Sequence, residues 1–399
     1  MTVENNVPEI RFKGFSEEWA NKNIGDIFQV VSGATPLRSD ARFFENADVS
    51  WVKTTDLNNG IILKTEEMIS QTALVETSVK ILPKGTVFVA MYGGFNQIGR
   101  TGLLETEATC NQALSAIYPN DKIVPYYLLT YLNLNVDAWK DLAASSRKDP
   151  NITKSDVLAF PFLYPSFKEQ TQIGNTFQKL DNLIKQHQQK HDKLSNIKKA
   201  MLNKMFPKQG ETIPEIRFKG FSGEWEEKEL GSIAQLTMGQ SPSGENYTNN
   251  PNDFILVQGN ADLKNGFVVP RVWTSEATKK AVKGALIFSV RAPVGEVGKT
   301  NYDVVLGRGV AAVYGNEFIY QQLQKLKSDN YWHKVSAGST FDAISSTELA
   351  STLIWISSES EQEKIGNYFQ KLDTLINQHQ QQITKLNNIK QACLSKMFV

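Results

Sequence analysis

Cysteine is nearly missing from this 399-residue chain. Cys110 and Cys393 are too few for a disulfide framework or a four-cysteine zinc site, which fits a reducing, cytoplasmic setting. Histidine is almost as scarce. His187, His191 and His379 fall on segments read below as long helices and only His333 lies elsewhere, so no Ser-His-Asp arrangement is legible. No run approaches the roughly 18 consecutive apolar residues that span a bilayer. The opening MTVENNVPEIRF has no apolar stretch behind a basic one, so no secretory signal is expected. A charge excess is also lacking. At a net +1, a grip on many nucleic-acid phosphates would need cations gathered in loops, or help from partners. No [DN]-P-P-[YFW] motif for methylating a base amino group occurs, and Cys110 has no neighbour that would activate a thiol. These absences leave a globular chain without a catalytic constellation.

What the chain does have is repetition. PEIRFKGFSEEW (8–19) recurs as PEIRFKGFSGEW (214–225), and the 38 residues 169–206 recur as 361–398. Between them the two middles match only faintly. Gly33-Ala34-Thr35-Pro36 meets Gly239-Gln240-Ser241-Pro242, Asp56-Leu57 meets Asp262-Leu263, and ALSAIY (113–118) meets GVAAVY (309–314). The frames are nearly identical and the centres diverge, so the same fold is expected to carry two different surfaces.

The repeated 38-residue segment predicts a helix about 57 Å long. An a/d seam runs through Ile173, Phe177, Leu180, Ile184, His187, His191 and Leu194, and again through Ile365, Phe369, Leu372, Ile376, His379, Ile383 and Leu386. Two such stripes in one chain predict an antiparallel coiled coil, with the middles at opposite ends of a rod. The middles read as α+β, with strands at 86–92, 285–290 and 309–314 and helical stretches at 125–143 and 316–335. The expected divisions are a first domain 1–166, a helix 167–206, a linker 207–213, a second domain 214–358 and a helix 359–399.

Two stretches imitate a phosphate-binding loop, GFNQIGRT (94–101) and PVGEVGKT (293–300). The first has Arg100 where the mechanism needs lysine, the second has Pro293 for its first glycine, and neither opens a helix. A strand-turn-strand is expected at both. His187 and His191 stand four apart, a metal-compatible spacing, but they lie on the seam and Ile383 replaces His191 in the second copy; seam packing is expected. The PEIRFKGF blocks alternate basic and aromatic residues, as in surfaces that stack on bases. A strand packing its aromatics on its own domain is the expectation there.

The ordered series of IPEIRFKGF-like openings, GxTP or GxSP turns, the KGxxxxSVRAPVG-like run at 283–295 and EQxxIGxxFxKLDxLIxxHQ helices resembles the DNA-specificity subunits of type I restriction-modification enzymes. The resemblance spans essentially the whole chain. It implies two target-recognition domains with pseudo-two-fold symmetry, each reading half of a bipartite site in double-stranded DNA. It also implies two modification subunits carrying S-adenosylmethionine and restriction subunits using ATP and Mg, with no cofactor or metal in this chain. Alternatives that the residues leave open are a stand-alone bivalent DNA-binding protein and an ATPase using the imperfect loops.

Bases are read in the major groove by Arg or Lys on guanine and Asn or Gln on adenine. Loop residues of such types where the copies diverge are the candidate DNA contacts. In the first domain these are Arg38, Lys53, Thr54, Thr55, Asn96, Gln97, Arg100, Arg147 and Lys148. In the second they are Ser241, Ser243, Gln258, Asn260, Arg271, Arg291, Arg308, Ser339 and Thr340.

Overall fold

The computed structural model describes residues 6–144, 150–336 and 343–399. The chain forms two compact units, Met1–Gln186 with Ile383–Val399, and His187–Gln382.

In the first unit a five-stranded sheet runs in the order Val30–Ser32, Leu114–Ile117, Val87–Ala90, Thr101–Leu104, Gly60–Ile62. All pairs are antiparallel except the last. The central strand is apolar throughout because both faces are covered. Val87 and Val89 join the core that holds Tyr127, Leu128 and Trp139, while Phe88 and Ala90 face a second cluster with Val52, Leu57 and Leu104. A three-stranded sheet of Glu67–Ile69, Val49–Val52 and Thr109–Cys110 lies in the same unit.

The second unit repeats the plan. Its larger sheet places Val310–Tyr314 between Gln235–Met238 and Leu286–Ser289, and Leu286 and Phe288 face one cluster while Ile287 faces another. Small devices repeat as well. Ala20–Asn23 pairs antiparallel with Pro161–Tyr164, and Glu226–Glu229 with Leu353–Ile356 in the same register. Thr153 with Asp156, and Ser345 with Glu348, close reciprocal capping boxes on equivalent short helices.

Both helical stretches of the middles are interrupted. Pro125–Leu134 ends where the Asn135 side chain donates to Tyr131 O at 2.9 Å, and Val136–Ala144 follows. Glu317–Ser328 ends ahead of Asn330, whose φ of 61° no helix accommodates, and Tyr331–Ser336 follows. The PEIRFKGF segments are not strands. Residues 8–18 and 214–224 are turns and bends, each held by one arginine and one buried tryptophan: Arg11 and Trp19, Arg217 and Trp225. Their aromatics do pack on their own unit, Phe12 on the first core and Phe218 on the second.

The long helices span Phe167–Lys204 and Glu359–Met397. In the first unit Phe177 meets Phe398, and Asp181 binds Lys390 at 2.6 Å; in the second His187 meets His379, Lys198 binds Asp373 at 2.6 Å, and Phe206 stacks on Phe369. Rising numbers on one helix meet falling numbers on the other, so the helices pair antiparallel within each unit. Ile173, Phe177, Ile365, Phe369, Leu372 and Ile383 are buried, and Leu180, Ile184, Leu194, Ile376 and Leu386 are half-buried. Ile173 and Phe177 also face the first domain's core beside Tyr127, so the apolar stripe serves two neighbours.

Candidate nucleic-acid interface

Each unit builds the same seat from the Gly-x-[Thr/Ser]-Pro turn and the loop before an inner strand of its larger sheet. In the first, Gly33 N donates to Leu114 O at 3.3 Å and Ala34 N to Cys110 O at 3.0 Å. In the second, Gly239 N donates to Val310 O at 2.9 Å and Gln240 N to Leu306 O at 2.8 Å. The turn is pressed so close that a Cβ on Gly33 would lie 2.2 Å from Asn111 O, and one on Gly239 2.0 Å from Gly307 O. Only glycine fits. The hydroxyl two residues later then faces the loop. Thr35 Oγ1 donates to Gln112 Oε1, and Ser241 Oγ accepts the Arg308 N–H at 3.1 Å.

Equivalent loops thus present Gln112 in one unit and Arg308 in the other. A second exposed side chain stands beside each, from the end of the neighbouring strand: Tyr92, whose hydroxyl donates to Gln112 O at 2.6 Å, and Arg291. In the second unit Ser241, Gln258, Asn260, Arg291 and Arg308 line one cleft of about 320 Å³ with Tyr247. The structure therefore brings five sequence-predicted residues into one place. Gln258 Nε2 donates to the Tyr247 hydroxyl at 3.0 Å.

Electrostatics separate the arginines sharply. Arg11 and Arg217 are held by Glu169 and Glu361, Arg42 by Asp40 and Glu76, and Arg271 by buried Asp262. Arg100 donates to Gln97 Oε1 at 2.6 Å, and Arg38 binds Glu67 at 2.6 Å while lying over the rings of Phe44 and Trp51. Among the described residues, only the Arg291 and Arg308 guanidinium groups have no hydrogen-bonding or ionic partner. Both stand in the cleft.

The remaining first-unit candidates are more scattered. Lys53 Nζ binds Glu67 at 2.6 Å, and Lys53 with Arg38 keeps that carboxyl below the usual carboxylate range. Thr54 and Thr55 lie on the short turn that follows Lys53, with Thr55 Oγ1 donating to Glu66. Asn96, Gln97 and Arg100 sit on the turn between Val87–Ala90 and Thr101–Leu104. Ser243 N donates to Glu276 at 3.1 Å, and Ser243 is not among the residues that line the cleft. Arg147, Lys148, Ser339 and Thr340 lie outside the described residues.

Sequence reasoning passed over Gln112, Tyr92, Thr35 and Tyr247. The alignment of ALSAIY with GVAAVY already places Gln112 opposite Arg308, and that was the available signal.

Among the described residues, other chemistries find no site. Residues 94–100 and 290–296 each join two antiparallel strands, with no helix opening behind them to receive a phosphate. His191 Nδ1 turns to Asp192 at 3.0 Å, and no group of three or more metal-capable side chains occurs among the described residues. Burial pushes the Cys110 thiol up to about 12, far from a nucleophile's range. No described helix is long and apolar enough to cross a membrane.

Comparison with known proteins matches this doubled architecture. The family model of the type I restriction modification DNA specificity domain matches twice, at residues 16–196 and 222–388. The MjaX specificity subunit of Methanocaldococcus jannaschii is 24% identical over 397 residues, covering 94% of this chain and 91% of that protein. The type I restriction enzyme EcoprrI specificity subunit of Escherichia coli is 21% identical over 394 residues, covering 95% and 92%. The crystal structure of a type I restriction-modification system S subunit from M. genitalium shares the fold with a TM-score of 0.70, covering 98% of this chain and 99% of that one at 17% identity. Two matches of the family model across most of the sequence place this chain in the type I restriction modification DNA specificity family, with two such domains in tandem.

Proposed function

We propose that this chain is the sequence-reading subunit of a cytoplasmic type I restriction-modification enzyme. Residues 1–166 and 214–358 each read one half of a bipartite double-stranded DNA site, and the helices 167–206 and 359–399 form the frame that joins them. Two modification subunits and the restriction subunits assemble on that frame and supply the chemistry, bringing S-adenosylmethionine, ATP and Mg. The observation that carries this reading is the cleft of the second unit, where two exposed arginines stand without partners beside Gln258 and Asn260. Unpartnered guanidinium groups beside carboxamides at a concave surface match the donor and acceptor patterns of base edges, with Gln258 itself steadied by the Tyr247 hydroxyl. The near-neutral net charge fits a reader whose neighbours share the phosphate contacts.

The test is the methylated motif of cells expressing the chain with its modification subunits, read genome-wide. Wild type should give a two-part motif with an unspecified spacer. Exchanging residues 22–166 for those of another specificity subunit should change one half only. Methylation by the isolated chain, or an exchange that alters both halves in a folded complex, would overturn the assignment. A chain that binds DNA tightly but supports no methylation with any modification subunit would point to a stand-alone DNA-binding protein.

A further inference from the structure

The two seats differ at one position in a way that has chemical content. Both hold the loop residue after Asn111 or Gly307 against the Gly-x-[Thr/Ser]-Pro turn. In the second unit the Ser241 hydroxyl takes the backbone N–H of Arg308, so the whole guanidinium fork is left for a ligand. A fork of parallel N–H donors matches two acceptors side by side, which in the major groove is guanine O6 and N7. In the first unit Thr35 donates to Gln112 Oε1, and the Tyr92 hydroxyl holds the Gln112 carbonyl. Gln112 then keeps its two Nε2 donors and the second lone pair of Oε1. One donor beside one acceptor matches adenine N7 and N6–H.

From this we infer that positions 112 and 308 are one specificity-determining seat used twice, with Gln112 reading an adenine in one half-site and Arg308 a guanine in the other. The inference rests on the DNA-reading role proposed above and adds which residue sets which base. Arg291 stands beside Arg308 in the same cleft as a second cation, and Tyr92 occupies its place in the first unit. The guanine-reading seat is thus the more positive of the two.

The experiment uses the complex with modification subunits, carrying Arg308→Lys, Arg308→Gln or Gln112→Ala, with genome-wide methylation and duplex binding as readouts. Arg308→Lys keeps the charge and loses the fork. It should relax one guanine position in the second half-site by about tenfold or more, as expected for a bidentate base contact. The first half-site should stay unchanged and so report an intact fold. Gln112→Ala should relax one adenine position in the first half-site and leave the second alone. The proposal fails if Arg308→Lys behaves as wild type while Arg308→Gln weakens all duplexes alike with a shallower salt dependence, because that describes a phosphate contact. It also fails if Gln112→Ala leaves the first half-site intact, or if Arg308→Lys loses all methylation with an unchanged melting temperature. If wild type itself yields no two-part motif, the DNA-reading role has failed and takes this inference with it, an outcome distinct from the others.

Discussion

Arg11 grips both carboxylate oxygens of Glu169, Nε to Oε1 at 2.9 Å and Nη2 to Oε2 at 2.6 Å. Arg217 repeats the grip on Glu361 at 2.8 and 2.7 Å. Each glutamate is almost fully buried in the first turn of a long helix, where a carboxylate also favours the helix dipole. The repeated PEIRFKGF segment is therefore a clamp that fastens one end of a domain to its helix, which explains its near-identity in the two copies.

Glu169→Gln keeps the shape of the clamp and removes its charge, leaving a mostly buried guanidinium without a counter-ion. Breaking a buried pair in this way costs about 3–5 kcal/mol. In a unit of this size the transition should fall by about 6 °C or more. Differential scanning calorimetry of Glu169→Gln and Glu361→Gln checks this. Unchanged transitions would mean that the pairs contribute no more than surface pairs do.

Cys110 offers a probe of the first seat. Its thiol is 2% exposed and is pushed up to about 12 by burial, while Cys393 is half-buried. A thiol reagent at mildly alkaline pH should therefore label Cys393 alone in the native chain. A Cβ at Gly33 would come 2.5 Å from the Cys110 sulfur. Gly33→Ala should displace the turn and let Cys110 react. If Cys110 stays protected in that variant, the close packing of the turn is not what shields it.

The long helices were legible because an a/d stripe is a local signal, and the observed ends lie within two residues of the expected ones. The inner strands were legible for the same reason, since Val87–Ala90 and Leu286–Ser289 are apolar runs buried on both faces. Asn135 and Asn330, which interrupt two helices, are polar residues inside otherwise helical patterns, and periodicity averages over them. The seat was hidden more deeply. Thr35 and Gln112 are 77 positions apart, and nothing in local composition says that they touch. The same holds for His187 and His379, whose pairing depends on the register of two helices 192 residues apart.

That histidine pair sets a pH dependence. The Nδ1 atoms are 2.9 Å apart, so one ring must donate and the other accept, and a doubly protonated pair cannot keep the contact. His379 is held below the usual imidazole value, first by burial and then by His187, with Lys190 and His191 adding to the effect. The folded unit then binds fewer protons than the unfolded chain from about pH 6.5 down to the lowered value, so stability rises with pH across that window. The contribution is full above about pH 6.5 and is lost as pH falls through the window. His379→Gln should therefore narrow the gap between melting temperatures measured at about pH 7.5 and about pH 5.5, a range centred on the ordinary imidazole value. An equal gap in both proteins would show that carboxylates elsewhere set the acid sensitivity.

Glu67 decides what two candidate cations of the first unit can do. It binds Lys53 at 2.6 Å and Arg38 at 2.6 Å, and Lys53 is also 3.8 Å from Glu66. The lowered pKa of Glu67, owed first to Lys53, keeps the carboxylate ionised through the neutral range. With Glu67 in place, Lys53 and Arg38 present little net charge to a phosphate backbone. Glu67→Gln removes that neutralisation while conserving the side chain's shape, and Arg38 remains positioned by Phe44 and Trp51. The variant should bind duplexes of unrelated sequence more tightly at low salt. Each phosphate newly neutralised steepens the log–log salt dependence by about 0.9, so the one positive charge gained should steepen it by up to about 0.9. The methylated motif of the complex should be unchanged, since a phosphate contact carries no base information. Binding titrations across a salt series check the first part and genome-wide methylation the second. An unchanged slope with a relaxed first half-site would instead make Glu67 the residue that aims Arg38 or Lys53 at a base.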